Sequence, residues 1–489
     1  MDIHLAIEGR HDLAGQIYRQ LRAGIVESRL AGGTRLPSTR DLAGRLGVSR
    51  KTTLDVFERL LAEGYLVARA GAGTFVADGL GRLPAGSSAQ ARAAAAARSQ
   101  SKPRARAQPV WDTLLRAPPM PLPAGDVPFD FMGGVTDKTQ FPFDTWRRCV
   151  NHALRVQARG RGTYREAAGE QDLRLAVSRY LAFSRAVPGN WEDVFVTQGA
   201  QHALDLIARI TLRPGDVAAV EDPGYPPARD CFAALGAKVI PVPVDAQGLI
   251  VAKLPKHARL VYVTPSHQFP LGMPMSLERR VELLEWAQQR GALIVEDDYD
   301  CEYRFEGRAM EPLKSLDRAG LVAYVGTFSK TMLPELRMGY VVPPASLQAS
   351  LRKARQVGDW HGCTLTQTAL ARFILDGHFA KHLRRMHKVY AIRRTRLLEH
   401  LRGDLAPWFE PIAPHAGIHL AAYLKPPLDE ATLVAAARNA SIGLYGLAPF
   451  HVRVAPRPGL LFGYGGIAAD DIDASLGRLA RLMPTLARR

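Results

Sequence analysis

One lysine stands among hydroxyl residues in the stretch Val325-Gly-Thr-Phe-Ser-Lys-Thr-Met-Leu-Pro-Glu-Leu-Arg-Met-Gly-Tyr340. Thr327 and Ser329 lie just before Lys330, and Arg337 follows seven residues later. The apolar run Leu321 to Val325 predicts a buried strand that ends just ahead of the lysine. A lysine amine that is partly desolvated and close to another cation loses its proton readily, and the neutral amine condenses with carbonyls. Two hydroxyls and a guanidinium make a donor set suited to a phosphate dianion. The combination points to pyridoxal phosphate (PLP) held as a Schiff base on Lys330, with Thr327, Ser329 and Arg337 around its phosphate. The same stretch also reads as a surface lysine in a polar turn, and the segment alone does not choose.

The elements that would position this lysine lie between about residue 129 and the C-terminus. Strand-like runs alternate there with helical ones, which predicts an α/β domain. Trp191 to Gly199 reads as a strand entering a turn, and Ala200 to Ile210 as a helix whose first backbone amides form an anion site. Val217–Val220 runs into Glu221-Asp-Pro-Gly-Tyr225, and Leu260–Val263 into Thr264-Pro-Ser-His-Gln-Phe-Pro270. Ala292–Val295 runs into Glu296-Asp-Asp-Tyr299. Each strand thus ends in a polar cluster, and ligands of open α/β sheets bind at those carboxyl ends. Taken alone, Asp297 also fits a helix cap or a solvated turn acid.

The first eighty residues follow another pattern. Leu13, Ile17, Leu21 and Ile25 form the stripe of an amphipathic helix that Gly32-Gly33 would end. Ser38, with Asp41 three residues on, predicts the N-terminus of a second helix, which Gly47 stops. Ser49 caps a third, with Thr53, Val56 or Phe57, Leu60 and Leu61 inward and Arg50, Lys51 and Thr52 exposed at its start. Tyr65–Arg69 and Thr74–Val76 read as two strands joined by Ala70-Gly-Ala-Gly73. The result is a helix-turn-helix with a wing, although a plain three-helix bundle fits the periodicity as well.

Between these parts, residues 79–126 carry six prolines from Pro103 to Pro123, an alanine run at 94–97 and basic residues with no acid before Asp112. That composition predicts an extended tether, in which the alanine run could form a short helix. Its basic residues fit either added attraction to DNA or simple solubility. The formal net charge of +17 over 489 residues agrees with a polyanionic partner. The four cysteines form no CxxC pair, which argues against a zinc site or a disulfide framework and for a reducing compartment. The N-terminus has no signal-peptide pattern, and no apolar run reaches the length of a membrane span.

Two resemblances add to this reading. Gly33-Thr-Arg-Leu-Pro-Ser-Thr-Arg-Asp-Leu-Ala43, Leu46-Gly-Val-Ser-Arg50 and the wing around Gly71-Ala-Gly-Thr-Phe-Val76 closely resemble the GntR family of bacterial winged-helix regulators, over residues 10–78. The likeness implies that Arg40, Ser49, Arg50, Lys51, Thr52 and the wing tip at Gly71 touch double-stranded DNA. Arg50 suits a guanine edge; Arg40, Lys51 and the hydroxyls suit phosphates. Residues 127–489 resemble fold-type I PLP enzymes of the aspartate aminotransferase superfamily. The likeness implies Lys330 as the Schiff-base lysine, Asp297 on the pyridine nitrogen, Tyr299 on the ring hydroxyl and Tyr225 stacked on the ring. It also implies Gly199, Ala200 and Gln201, with Thr327, Ser329 and Arg337, at the phosphate, and Tyr164 reaching the phosphate of a neighbouring subunit.

There are two departures from that superfamily. Its Asn-Pro-x-Gly loop is replaced by Ser266-His-Gln-Phe-Pro-Leu-Gly272, so His267, Gln268 or nothing meets the ring oxygen. The arginine that grips a substrate α-carboxylate is replaced by Leu461, with Arg453 and Arg457 nearby but out of register. The whole layout, with Glu296-Asp-Asp-Tyr-Asp300 and His382-Leu-Arg-Arg-Met386, resembles the MocR subfamily. That implies a multidomain chain: a small winged helix-turn-helix plus a large fold-type I α/β body. It further implies a cytoplasmic, nucleoid-associated bacterial regulator, a homodimer whose heads pack head-to-tail on the partner's body, and an effector that is PLP or PLP plus an amine. The missing arginine favours PLP itself, as in PdxR-type regulators, over an amine or amino-acid effector. It also favours a regulator over a DNA-binding aminotransferase, although a residual half-reaction stays open.

Overall fold

The computed structural model describes residues 5–9, 11–78, 109–114, 127–187, 189–307, 310–412, 414–453 and 457–486. The chain falls into two compact units, residues 1–106 and 107–489. Apart from 109–114, the expected tether at 79–126, including its alanine run, lies outside the described residues.

The N-terminal unit is three helices and a hairpin. Helix α1 (Leu13–Val26) turns Ile17, Leu21 and Ile25 inward. It ends at Val26, before the glycine pair expected to stop it, because Leu30 folds back with its amide on the Gly24 carbonyl and its side chain in the core. Helices α2 (Thr39–Leu46) and α3 (Arg50–Ala62) begin at Ser38 and Ser49, whose side chains accept from the amides of Asp41 and Thr52. Gly47 closes α2 in the left-handed region at φ +65°. The buried Thr53 hydroxyl donates to the Thr39 carbonyl at 2.8 Å and fixes α3 against α2. Strands β1 (Leu66–Arg69) and β2 (Gly73–Val76) pair antiparallel, Leu66 with Val76 and Arg69 with Gly73. Leu66 and Val76 join Leu42, Val56, Phe57 and Leu60 in one core, so the wing is packed onto the helices.

The body is built on an eight-stranded sheet. Its strands are β3 (Phe195–Thr197), β4 (Val217–Asp222), β5 (Lys238–Asp245), β6 (Gly248–Leu249), β7 (Ala258–Val263), β8 (Leu293–Asp298), β9 (Val322–Thr327) and β10 (Gly339–Val342), in the order β3-β10-β9-β8-β7-β4-β5-β6. The central strands β9, β8, β7, β4 and β5 are parallel; β10 runs antiparallel between β9 and β3. Every residue of β4, β8 and β9 is buried, as expected of a sheet covered on both faces. The 191–193 segment is a 3-10 turn, so β3 begins later than its sequence suggests. A second, antiparallel sheet carries β11 (Phe409–Ile412), β12 (His419–Leu424), β14 (Gly459–Gly463) and β13 (Tyr445–Gly446), in that order.

Gly339 joins two parts of the main sheet, pairing with Thr327 on one side and Thr197 on the other. A Cβ there would meet backbone, 2.8 Å from the Gly199 carbonyl carbon and 2.9 Å from the Gly326 oxygen. Gly339→Ala is therefore expected to destabilise the body by about 1–3 kcal/mol and to weaken cofactor binding with it. Urea unfolding and PLP titration of the same variant check this.

Candidate functional site

The carboxyl ends of β3, β8 and β9 open on one cavity of about 830 Å³, counting its mouth. Ala200, Gln201, Tyr225, Asp297, Tyr299, Thr327, Ser329, Lys330 and Arg337 all line it. Asp297 lies inside β8, so it is neither helix cap nor turn acid. Thr327 ends β9, which places Lys330 in the turn that follows.

Lys330 Nζ donates to the Gly134 carbonyl at 2.8 Å. Burial, reinforced by the positive charge of Arg337 and opposed by Asp300 and Asp297, holds its pKa below the usual lysine range. The surface-lysine alternative thus fails, and the shift is in the direction that carbonyl chemistry needs. Asp297 Oδ2 accepts from the Tyr262 hydroxyl at 2.8 Å, while Oδ1 is buried without a partner. Burial pushes this carboxyl up to about 7, although Tyr262 and Lys330 pull the other way.

Two loops bring groups suited to an anion together at one end of the cavity. Gly199 (φ +80°) is the N-cap of helix α4 (Ala200–Thr211), so the helix amides face the cavity. A Cβ on Gly199 would sit 2.8 Å from Arg337 Nη2, which donates to the Gln198 carbonyl. Arg337 itself is left-handed at φ +49°, a conformation a non-glycine residue adopts at a cost of about 1–3 kcal/mol and mostly at functional sites. The Ser329 hydroxyl is buried and unpartnered. The Gln201 side chain donates instead to the Pro227 carbonyl, which leaves its backbone amide for the anion. An unpartnered hydroxyl, an unpartnered carboxylate oxygen, a helix N-terminus and a strained arginine fit the phosphate and ring nitrogen of PLP.

Three expectations are corrected or sharpened. Neither His267 nor Gln268 lines the cavity, although His267 Nε2 is buried without a partner. Gln268 spends its amide on the Pro223, Phe269 and Leu271 backbone, while His267 Nδ1 lies 2.8 Å from Asp300 Oδ1. Tyr299 lines the cavity, and its hydroxyl donates to the His267 carbonyl at 2.9 Å. Tyr164 does not line this chain's own cavity; it is 75% exposed and packs on Trp360, with ring centroids 4.6 Å apart. Leu461 is fully buried with Phe269, Leu271, Ala421, Leu447 and Phe450. Arg457 pairs with Glu410 at the surface, and the exposed Arg453 uses its backbone amide on Asp222. Sequence reasoning missed His419, on β12 and in the cavity wall, because a histidine in a second sheet carries no local signal.

In the N-terminal unit, Arg40, Ser49, Arg50 and Lys51 are exposed, Thr52 is half-buried, and Gly71 (φ +72°) is exposed at the wing tip. The Ser49 and Thr52 hydroxyls lie 2.8 Å apart and share the cap of α3.

Comparison with known proteins agrees with both halves. Residues 13–76 match the family described as bacterial regulatory proteins, gntR family, and residues 135–458 match aminotransferase class I and II. The probable rhizopine catabolism regulatory protein MocR of Rhizobium meliloti is 37% identical, over 92% of this chain and 90% of that protein. The pyridoxine biosynthesis transcriptional regulator PdxR of Corynebacterium glutamicum is 29% identical over 94% of this chain and 93% of its own. The solved kynurenine aminotransferase of Pyrococcus horikoshii superposes with a TM-score of 0.68 at 26% identity, covering 80% of this chain and 98% of that one.

A gntR-type head on an aminotransferase-like body defines a DNA-binding transcriptional regulator that uses PLP. The chain belongs to the MocR subfamily of these regulators.

The buried carboxyl of Asp297 makes stability depend on pH. Its folded pKa is raised above the unfolded value, so its contribution is full below about pH 4 and is lost as pH rises towards 7. Relative to Asp297→Asn, the cofactor-free wild type should lose stability across that window, as read by denaturant titrations at several pH values. A difference that does not change with pH counts against this assignment.

Proposed function

We propose that the chain senses PLP itself at Lys330 and passes the outcome to an operator through its head, in the control of vitamin B6 supply. One observation carries this reading. A full set of cofactor-holding groups is combined with Leu461, an apolar residue, where an enzyme acting on amino acids needs a cation. Leaving a substrate carboxylate without that contact costs roughly 1.5–3 kcal/mol. The name of the Corynebacterium relative, a regulator of pyridoxine biosynthesis, supports the same reading.

Lys330 Nζ is the anchoring amine, and Asp297 Oδ1 takes the pyridine N–H. Tyr299 reaches the ring hydroxyl and Tyr225 covers the ring face. The backbone at Gly199, Ala200 and Gln201 holds the phosphate with Thr327, Ser329 and Arg337. When bound, PLP supplies a carbonyl and an electron-withdrawing ring. The completeness of this set favours, as a second reading, a slow residual amino-group transfer; rapid turnover with an amino-acid panel would make the chain an enzyme.

The exposed Tyr164–Trp360 pair supports a homodimer in which each Tyr164 completes the partner's phosphate site, with heads docked head-to-tail. In the head, Arg50 reads a base edge, while Arg40, Ser49, Lys51, Thr52 and the Gly71 wing tip meet the backbone, in the bacterial cytoplasm and at the nucleoid. PLP shifts the heads only as far as it binds two body conformations unequally.

Lys330→Ala should abolish the absorbance of lysine-bound PLP and make operator affinity indifferent to added PLP; a variant that responds like wild type would refute the anchor. Arg50→Ala should weaken specific operator binding by about 1–3 kcal/mol while leaving non-specific binding nearly intact. Fluorescence anisotropy with specific and scrambled duplexes distinguishes the two.

A further inference from the structure

One buried group in the cavity wall is left without a use by PLP. His419 opens β12, is 2% exposed and lines the cavity beside Ile418. It donates to the Pro270 carbonyl. Its Nδ1 edge is turned towards Asp300, with Oδ2 at 4.0 Å, and Nε2 has no partner. Burial, with His267 and Lys330 adding to it, holds the ring neutral, well below the usual histidine range. The proton therefore stays on the Nδ1 side, and Nε2 presents a lone pair.

The ring is fixed in place. His267 lies against it with centroids 4.5 Å apart, and Phe269 meets it edge-on at 5.6 Å. His267 is itself held by Asp300 Oδ1, whose other oxygen accepts the Ile418 amide at 3.2 Å. Gly417 (φ +92°) permits this packing, because a Cβ there would fall 2.0 Å from His267 Cε1. His419 is thus a rigid, preorganised acceptor.

PLP has no donor left for it. When bound, its ring N–H would go to Asp297 and its ring hydroxyl would face Tyr299, while the phosphate and carbonyl only accept or react. A buried acceptor left unpaired is destabilising, so a second molecule that carries a donor is favoured there. Two features define its class. Among the described residues lining the cavity, the cations are Lys330 and Arg337, both already engaged by the cofactor reading, and the C-terminal sheet offers buried Leu461 instead of a carboxylate clamp. Asp297 and Asp300 in the wall further disfavour an anion.

We infer that the cavity takes, beside PLP, a small primary amine that carries a hydroxyl and lacks a carboxylate, with His419 Nε2 accepting from the hydroxyl. The amine would exchange for Lys330 at the carbonyl carbon: one C=N bond forms, one breaks, the incoming ammonium's three N–H protons end on Lys330 Nζ, and nothing is oxidised. The inference rests on Lys330 as the PLP anchor and goes beyond PLP as the signal, since it adds a co-ligand to it.

The test uses the PLP-loaded full chain and isothermal calorimetry with 2-aminoethanol and 3-aminopropan-1-ol, their alkylamine counterparts ethylamine and propylamine, and their amino-acid counterparts glycine and β-alanine. In wild type the amino alcohols should bind roughly five- to tenfold more tightly than the alkylamines, and the amino acids weakest. His419→Phe should bring the amino-alcohol to alkylamine ratio to about one, a ratio that cancels any general damage to the site. Leu461→Arg should move the preference towards the amino acids. A wild type that prefers amino acids, or a His419→Phe variant that keeps the ratio, overturns the inference while leaving PLP binding standing. A wild type without lysine-bound PLP absorbance overturns both together.

Discussion

The site depends on a carboxylate that folding has left half satisfied. Asp297 lies inside a buried strand, receives one hydrogen bond from Tyr262 and has its other oxygen unpaired. An isolated carboxylate in such a place is expensive, and burial answers by pushing its pKa up to about 7. A ligand that brings an N–H to Oδ1 removes the penalty. The same logic holds at Ser329, whose buried hydroxyl lacks a partner, and at Arg337, held in a strained backbone conformation beside Gly199. These groups sit at strand ends because the parallel sheet, covered on both faces, leaves its carboxyl edge as the place where irregular backbone and polar side chains can meet.

A regulator and an enzyme can share this machinery and differ in what surrounds it. The groups proposed to hold the cofactor come from the main sheet and its loops, while His419 and Leu461 come from the small one. Leu461 belongs to an apolar cluster. His419 stands on the neighbouring strand, with Leu461 paired across to Ala421 in the same sheet.

Much of this was legible in the sequence, for identifiable reasons. The helix caps at Ser38 and Ser49 and the stop at Gly47 are local backbone chemistry, so they could be read residue by residue. The strand ends could be placed because apolar runs gave way abruptly to polar clusters, and the order Asp297, Tyr299, Lys330 follows directly from them. Element edges were less secure: α1 stops at Val26 because of a tertiary contact by Leu30, which no periodicity reveals. The Asn-Pro-x-Gly question could not be resolved from residue types, since His267 and Gln268 are both polar and plausible. Only the packing shows that one is tied to Asp300 and the other to backbone. His419 was invisible for the same reason, because its meaning comes from a strand more than eighty residues away from Lys330.

Strand β3 lies at the open edge of the main sheet, with β10 next to it. The two loops that make the anion end hang from these strands: Gly199 follows β3, and Arg337 precedes β10. Sheet edges are where a fold opens first and where a protease finds its first extended segment. A phosphate gripped by both loops would be a clasp on that edge, absent when the cofactor is scarce. Ligand supply would then set the chain's lifetime as well as its conformation. The number of regulator molecules in a cell would follow cofactor supply with no change in their own synthesis.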